Sequence, residues 1–319
     1  MEELKSLTRR NFIKKTAAFS ALAAFSGSPL TALAARESIK LTILHTNDVH
    51  SRIEPFPMDG GRYQGLAGVA RRSTLINQIR AQEEHVLLVD AGDMFQGTPY
   101  FNLFEGKLEL DLMSKLGYEA GTFGNHEFDN GLTGLAKHLS HANFPFLTSN
   151  YDFTGTLLAG KTKEYTIIRK GGLKIGLFGL GIDINGLVDP NSFKGMKYLD
   201  PLPIANRLAK ELKEKHRCDL VICLSHLGYS YKDDKISDLV LAAKSAHIDF
   251  IIGGHTHTFL PEPTKVVNLQ GKDTYVNQVG FGGINLGRID ITFDPKSGKK
   301  QIMASTHEIN NSIEATKLA

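Results

Sequence analysis

The chain has 319 residues, 41% hydrophobic and 22% charged, with 31 glycines, two cysteines and a formal net charge of +3. That composition excludes a disordered, collagen-like or disulfide-stapled chain and fits one large globular domain or two small ones. The charge gives no argument for nucleic acid, because residues 1–35 hold five Lys and Arg against two Glu and so account for the whole excess.

The chain opens on a targeting pattern. Arg9-Arg10, followed by Phe12, Ile13 and Lys14, leads into an apolar, alanine-rich run that ends at Ala32-Leu33-Ala34. A charged stretch, an apolar stretch and a small-residue cleavage site make a signal peptide, and the arginine pair resembles a twin-arginine export signal. The expectation is a signal over residues 1–35, a mature domain over 36–319, a periplasmic location and no membrane contact after cleavage. The apolar run is short and rich in small residues, so it would span a bilayer poorly.

From residue 39 strands and helices alternate. The runs "IKLTILHTND", "HVLLVDAGD", "FPFLTSN", "EYTIIRK", "LKIGLFGLG", "CDLVICLSHLG" and "IDFIIGGHTH" read as strands, as do "DTYVNQVG", "GGINLGRIDITFD" and "QIMASTHEIN" near the end. Between them "LAGVARRSTLINQIRAQ", "LELDLMSKLG", "GLTGLAKHLSHA", "PIANRLAKELKEKH" and "ISDLVLAAKSAH" carry helical periodicity. The alternation predicts an α/β fold with buried central strands and helices outside. Cys218 and Cys223 lie in one strand run, too far apart to bridge, and read as core residues.

Acidic, amide and imidazole residues cluster where strands end: "HTNDVH", "DAGD", "GNHEFD", "SHLG" and "GGHTH". Ligands of open α/β sheets bind beyond the carboxyl ends of the strands. In "GGHTH" the two glycines let the backbone bend tightly, so both rings can converge on one point. Together the blocks supply Asp48, His50, Asp93, Asn125, His226, His255 and His257, an oxygen and nitrogen set of the right size for two divalent ions. With no thiolate among them, zinc, manganese or iron in an open site is expected rather than a closed structural zinc. Asp93 has two oxygens and can bridge.

These five ordered blocks resemble the calcineurin-like metallophosphoesterases, and "ILHTNDVHSRIEP", "DAGDMFQGTPY" and "GNHEFDNG" are similar to the catalytic domain of secreted bacterial 5′-nucleotidases. The resemblance runs from about Leu41 to Asp294. It implies a four-layer α/β fold, a metallophosphatase-type β-sandwich flanked by helices, with a dinuclear centre at the carboxyl ends of the strands. Carried over by position, it implies Asp48, His50 and His257 on one ion, Asn125, His226 and His255 on the other, and Asp93 between them. It also implies His126 as the catalytic histidine with Asp129 orienting it, and a metal-bound hydroxide as nucleophile. Glu127 reads as a supporting charge and His45 as core or support. Arg52 and Arg62 are not expected to meet the phosphate.

The 5′-nucleotidase family adds a C-terminal domain that supplies an aromatic sandwich for the base, and the expectation here is that this domain is absent. The leading reading is an exported dimetal hydrolase of nucleotides or related small phosphoesters, active in nucleotide catabolism. The alternatives are a catalytic subunit needing a separate base-binding polypeptide, and a metal-holding protein without turnover that binds a partner. A sulfur-compound hydrolase is more remote.

Overall fold

Successive residues of a strand face opposite sides of its sheet, and this chain places apolar residues on both. Strand β1 (Ile39–Thr46) sends Leu41 and Ile43 to one side and Leu44 to the other, and β2 (Val86–Asp90) repeats this with Leu87 and Val89 against Leu88. Strands buried on both faces need cover on both. The computed structural model supplies it as layers of helix, sheet, sheet and helix, and describes residues 38–294, 297 and 299–316. The export-type segment over residues 1–35 lies outside the described residues.

The other strands are β3 (Ala120–Thr122), β4 (Phe146–Leu147), β5 (Tyr151–Asp152), β6 (Tyr165–Lys170), β7 (Leu173–Gly181), β8 (Lys197–Tyr198), β9 (Leu220–His226), β10 (Phe250–Gly253), β11 (Thr264–Val267), β12 (Asp273–Asn277), β13 (Asn285–Phe293) and β14 (Lys300–Glu308). They form two sheets, ordered β14-β13-β1-β2-β3-β4 and β11-β12-β10-β9-β7-β6, with β5 and β8 as a small separate pair. Within the first sheet β1 to β4 are parallel, and within the second β7, β9, β10 and β12 are. Parallel neighbours bring their carboxyl ends to a common edge. All five polar blocks leave the sheets there.

Between the sheets, Leu41, Ile43, Leu87 and Val89 meet Ile222, Leu224, Phe250 and Ile252. Burying each such side chain contributes about 1.5–3 kcal/mol. The first sheet is covered outside by α1 (Val69–Gln82), through Ile76 and Ile79, and beyond the short α2 (Pro99–Phe104) by α3 (Lys107–Leu116), through Leu110 and Met113. Helix α4 (Gly131–His138) adds Leu132 and Leu135. The second sheet is covered by α5 (Pro201–Lys210), through Ala205 and Leu208, and α6 (Asp238–Lys244), through Leu241 and Ala242. Asp200 caps α5 by accepting from Leu202 N, and Ser237 caps α6 by accepting from Val240 N. Among the described residues no helix is long and apolar enough to cross a membrane.

Some elements lie outside the expected ones. β3 is Ala-Gly-Thr, too short and too poor in β-formers to show a pattern, and β5, β8, β11 and α2 are short edge or surface pieces. The helix expected over 203–216 is α-helical to Lys210 and finishes as a π turn, Glu211–Lys215. Cys218 precedes β9, and both cysteines pack in the layer between the second sheet and its helices as buried free thiols.

At the end remote from the polar blocks, Asp249 ties the layers together. Its carboxylate accepts from Val221 N at 2.8 Å and meets Lys213 at 2.9 Å and Lys300 of β14 at 2.6 Å. Burial works to raise its pKa, but the two ammonium groups outweigh burial and hold it below the usual carboxylate range. A depressed carboxylate stabilises the fold at pH values above its unfolded pKa of about 4, and that contribution is lost as pH falls through the folded value. Asp249→Asn should therefore cost about 1–2 kcal/mol at neutral pH, with wild type and variant converging in strong acid. Thermal unfolding from pH 7 to pH 2 checks this. A gap that does not close in acid contradicts it.

Candidate metal centre

Asp48 and His50 follow β1, Asp93 follows β2, Asn125 follows β3, His226 ends β9, and His255 and His257 follow β10. Five of these seven, Asp48, His50, Asp93, His255 and His257, have φ between 50° and 74°. A left-handed backbone is costly for a residue with a side chain and persists only where its surroundings enforce it. Here the loops are laced to each other. Asp48 N donates to Gly92 O at 2.9 Å, His50 N to Asp93 O at 3.0 Å and Ser51 N to Met94 O at 2.9 Å. His255 N donates to both oxygens of Asp48 at 3.0 Å.

The side chains gather into three overlapping groups whose ligand atoms lie within 4.8 Å of one another: Asp48 with His50 and His257, His50 with Asp93 and His126, and Asp93 with His226 and His255. Asn125 joins the last through Oδ1, 2.9 Å from His255 Nδ1. The pair in "GGHTH", past the end of β10, divides between the two sides of the centre. His257 turns to Asp48, with Nε2 3.3 Å from Oδ1, and His255 turns to the opposite side of the centre. Asp93 stands between, with Oδ2 3.0 Å from His226 Nε2 and Oδ1 accepting from His126 N at 2.8 Å.

The imidazoles are set up as donors to a cation. His226 Nδ1 faces Ala91 O at 2.7 Å and His50 Nδ1 faces Phe95 O at 3.3 Å. A carbonyl can only accept, so each neutral ring carries its proton on Nδ1 and points the lone pair of Nε2 inward. His226 Nε2 is fully buried with the Asp93 carboxylate 3.0 Å away but out of line for a regular hydrogen bond, a costly condition unless the ring is protonated or the atom ligates. Burial lowers the pKa of His50, and burial with the neighbouring His226 lowers that of His255 to about 4. Burial acts the same way on His226, but the charges of Asp93 and then Asp48 lift it to about 10. Two buried carboxylates that attract a proton so strongly also attract a dication. The donor set fits divalent ions.

Room for this packing comes from two glycines. A Cβ on Gly124 would meet the Asp93 carboxylate and His226 Nε2, and one on Gly254 would stand 2.8 Å from His226 Nδ1 and 2.9 Å from Ala91 O.

His126 opens a turn of 3₁₀-helix, His126–Phe128, in which i and i+3 eclipse, so Asp129 lies on its face. Its Nδ1 is 2.7 Å from Asp129 Oδ2, and its side chain is 35% exposed at the mouth of the centre. Burial opposes protonation of this ring, yet the Asp129 hydrogen bond and the Asp93 charge raise its pKa to about 9. Arg52 and Arg62 lie over the rings of Phe56 and Tyr63 rather than in the centre. His45 is a core residue, held neutral by burial, with Nε2 3.0 Å from Asn277 Nδ2.

Three further residues hold the loops in place. Glu127, which reads from the sequence only as a supporting charge, accepts four backbone N–H groups, from Gly124 at 2.5 Å, Asp93 and Met94 at 2.9 Å and Phe95 at 3.2 Å. It thereby fixes the β2 and β3 loops to each other. Asn47 and Gln278 had no signal of their own in the chain. Asn47 donates to Asp48 Oδ2 and to Gly280 O, both at 2.7 Å. Gln278 donates to Gly254 O at 2.6 Å and accepts from Thr258 N at 2.5 Å. Glu127→Gln leaves one acceptor oxygen among four donors and brings in an amide N–H₂ that opposes them. It should weaken metal affinity roughly 10–100-fold, measured by competition with a chelator. Unchanged affinity would refute this role.

A family model described as calcineurin-like phosphoesterase matches residues 41–259. A snake venom 5′-nucleotidase from Gloydius brevicauda is 38% identical over 280 residues, which cover 81% of this chain and 46% of that protein. Among solved structures, a 5′-nucleotidase precursor from Thermus thermophilus superposes with a TM-score of 0.76 at 33% identity, covering 86% of this chain and 55% of that one. A NAD nucleotidase from Haemophilus influenzae gives 0.75 at 28%, covering 89% and 60%. The chain spans about half the length of the curated relatives it matches.

Proposed function

The chain belongs to the calcineurin-like phosphoesterase family, and we propose that its polar edge hydrolyses small phosphoesters of the 5′-nucleotide kind, using two divalent ions. The observation that carries this reading is the place of Asp93, whose carboxylate lies within 4.8 Å of a His50 nitrogen on one side and of His226 and His255 nitrogens on the other, where its two oxygens could serve two ions. Asp48, His50 and His257 would hold one ion, and Asn125, His226 and His255 the other. When bound, such a pair neutralises a phosphoryl group and lowers the pKa of a bound water toward about 7. The chain's own contribution is orientation and a proton. Asp129 fixes His126 in one tautomer and supports its protonated form, which stabilises charge on the phosphoryl or leaving oxygen.

The names of the relatives point to nucleotides as substrates. Export rests on Arg9-Arg10 and the apolar run that follows, and would place the enzyme in the periplasm. The test is removal and return of the ions. Dialysis against a chelator should abolish hydrolysis of AMP and phenyl phosphate, and adding zinc or manganese back should restore it. Turnover that survives complete metal removal would overturn the reading.

A further inference from the structure

Beside the metal centre the chain builds a wall of rings. The His257 imidazole stacks on Phe281, with centroids 5.0 Å apart and planes 15° apart. Phe281 in turn meets Tyr63 edge-on at 5.4 Å and Phe259 edge-on at 6.0 Å. Tyr63 and Phe259 lie nearly parallel, 14° apart, and the Arg62 guanidinium covers Tyr63 at 5.2 Å from its centroid. Phe259 is 40% exposed and so is the His257 side chain. A single exposed ring needs no explanation, but contiguous rings left partly open beside a polar centre mark a site of interaction.

The wall is rigid relative to the centre. Gly282 N donates to Asp48 O at 2.7 Å, on one side of Phe281, and Gly280 N donates to Thr258 O at 2.9 Å on the other. Asn47, which donates to the Asp48 carboxylate, also donates to Gly280 O. The rings therefore keep a fixed relation to Asp48 and His257, and ordering them for a ligand costs little.

We propose that the wall formed by Tyr63 and Phe259, joined through Phe281 to His257, is a stacking subsite for the aromatic leaving group of the phosphoester, a nucleobase or an aryl ring. This rests on the phosphoesterase reading and adds to it a specificity that this span of the chain carries itself. A molecule with its phosphoryl group at the ions and an aromatic ring on the wall satisfies both ends at once.

The experiment compares two substrates in four proteins loaded with metal: wild type, Phe259→Leu, Tyr63→Leu and the double variant. Leucine keeps apolar bulk and removes the aromatic face, and neither residue belongs to the metal centre. kcat/KM for AMP should fall roughly tenfold for each ring removed, while that for glycerol 2-phosphate changes less than about twofold. Equal falls for the two substrates, or none, would overturn the subsite. A second arm uses adenosine and the metal-free chain, read by saturation-transfer NMR. Transfer to the adenine protons in wild type and its loss in the double variant support the wall, and equal transfer in both refutes it. A wild-type chain that holds its ions but hydrolyses neither ester would refute the phosphoesterase reading, and the adenosine arm would still decide the subsite.

Discussion

His126→Ala should lower kcat on an ester with a poor leaving group by about 10²–10⁴, the usual contribution of a positioned proton donor, while leaving the metal content unchanged. The ring stands at the mouth of the centre, 5.2 Å between centroids from His50, and its Nδ1 is engaged by Asp129. Its free Nε2 is then the atom available to the substrate. The loss should be smaller on an activated aryl ester, whose leaving group needs little protonation. Asp129→Asn should fall between wild type and His126→Ala, because the ring remains but its protonated form loses a carboxylate. Because His126 also belongs to one of the three ligand groups, metal analysis is the deciding control. A variant that loses an ion would make His126 a ligand, and one that keeps full kcat would remove it from the mechanism.

The second large effect is expected at Asp93. This carboxylate is 2% exposed and meets His226 Nε2 and His126 N from its two oxygens. Asp93→Ala would leave His226 buried without its counter-charge and take a ligand from both ions, so both should be lost and hydrolysis should fall to background. His257→Ala, which touches only the Asp48 side, should cost one. Thermal unfolding gives an independent readout. Ions at 100 times their dissociation constant stabilise a folded protein by about 2.7 kcal/mol, so added metal should raise the Tm of wild type and leave that of Asp93→Ala unmoved. An Asp93→Ala variant that retains both ions would contradict the bridging role.

The chain displayed its candidate ligands openly because their chemistry is written in residue type. Carboxylates, imidazoles and an amide recur at strand ends, and a carboxylate placed three residues from an imidazole in "HEFD" needs only one turn to pair with it. The layers were equally readable, since apolar residues on both faces of β1 and β2 require cover on both. What stayed hidden depends on which backbone groups the fold brings together. Glu127 resembles any helix-entry acid until four N–H groups from two loops converge on it. The aromatic wall joins Tyr63 to Phe259 and Phe281 across most of the chain, and no local pattern announces a contact of that separation.

The proposed dinuclear centre is tested most directly by counting the ions it holds. The purified chain, stripped with a chelator, reconstituted with zinc or manganese and freed of excess, should retain about two ions per chain by elemental analysis. A stoichiometry that stays at or below one, in protein whose circular dichroism and Tm show it fully folded, would contradict the account.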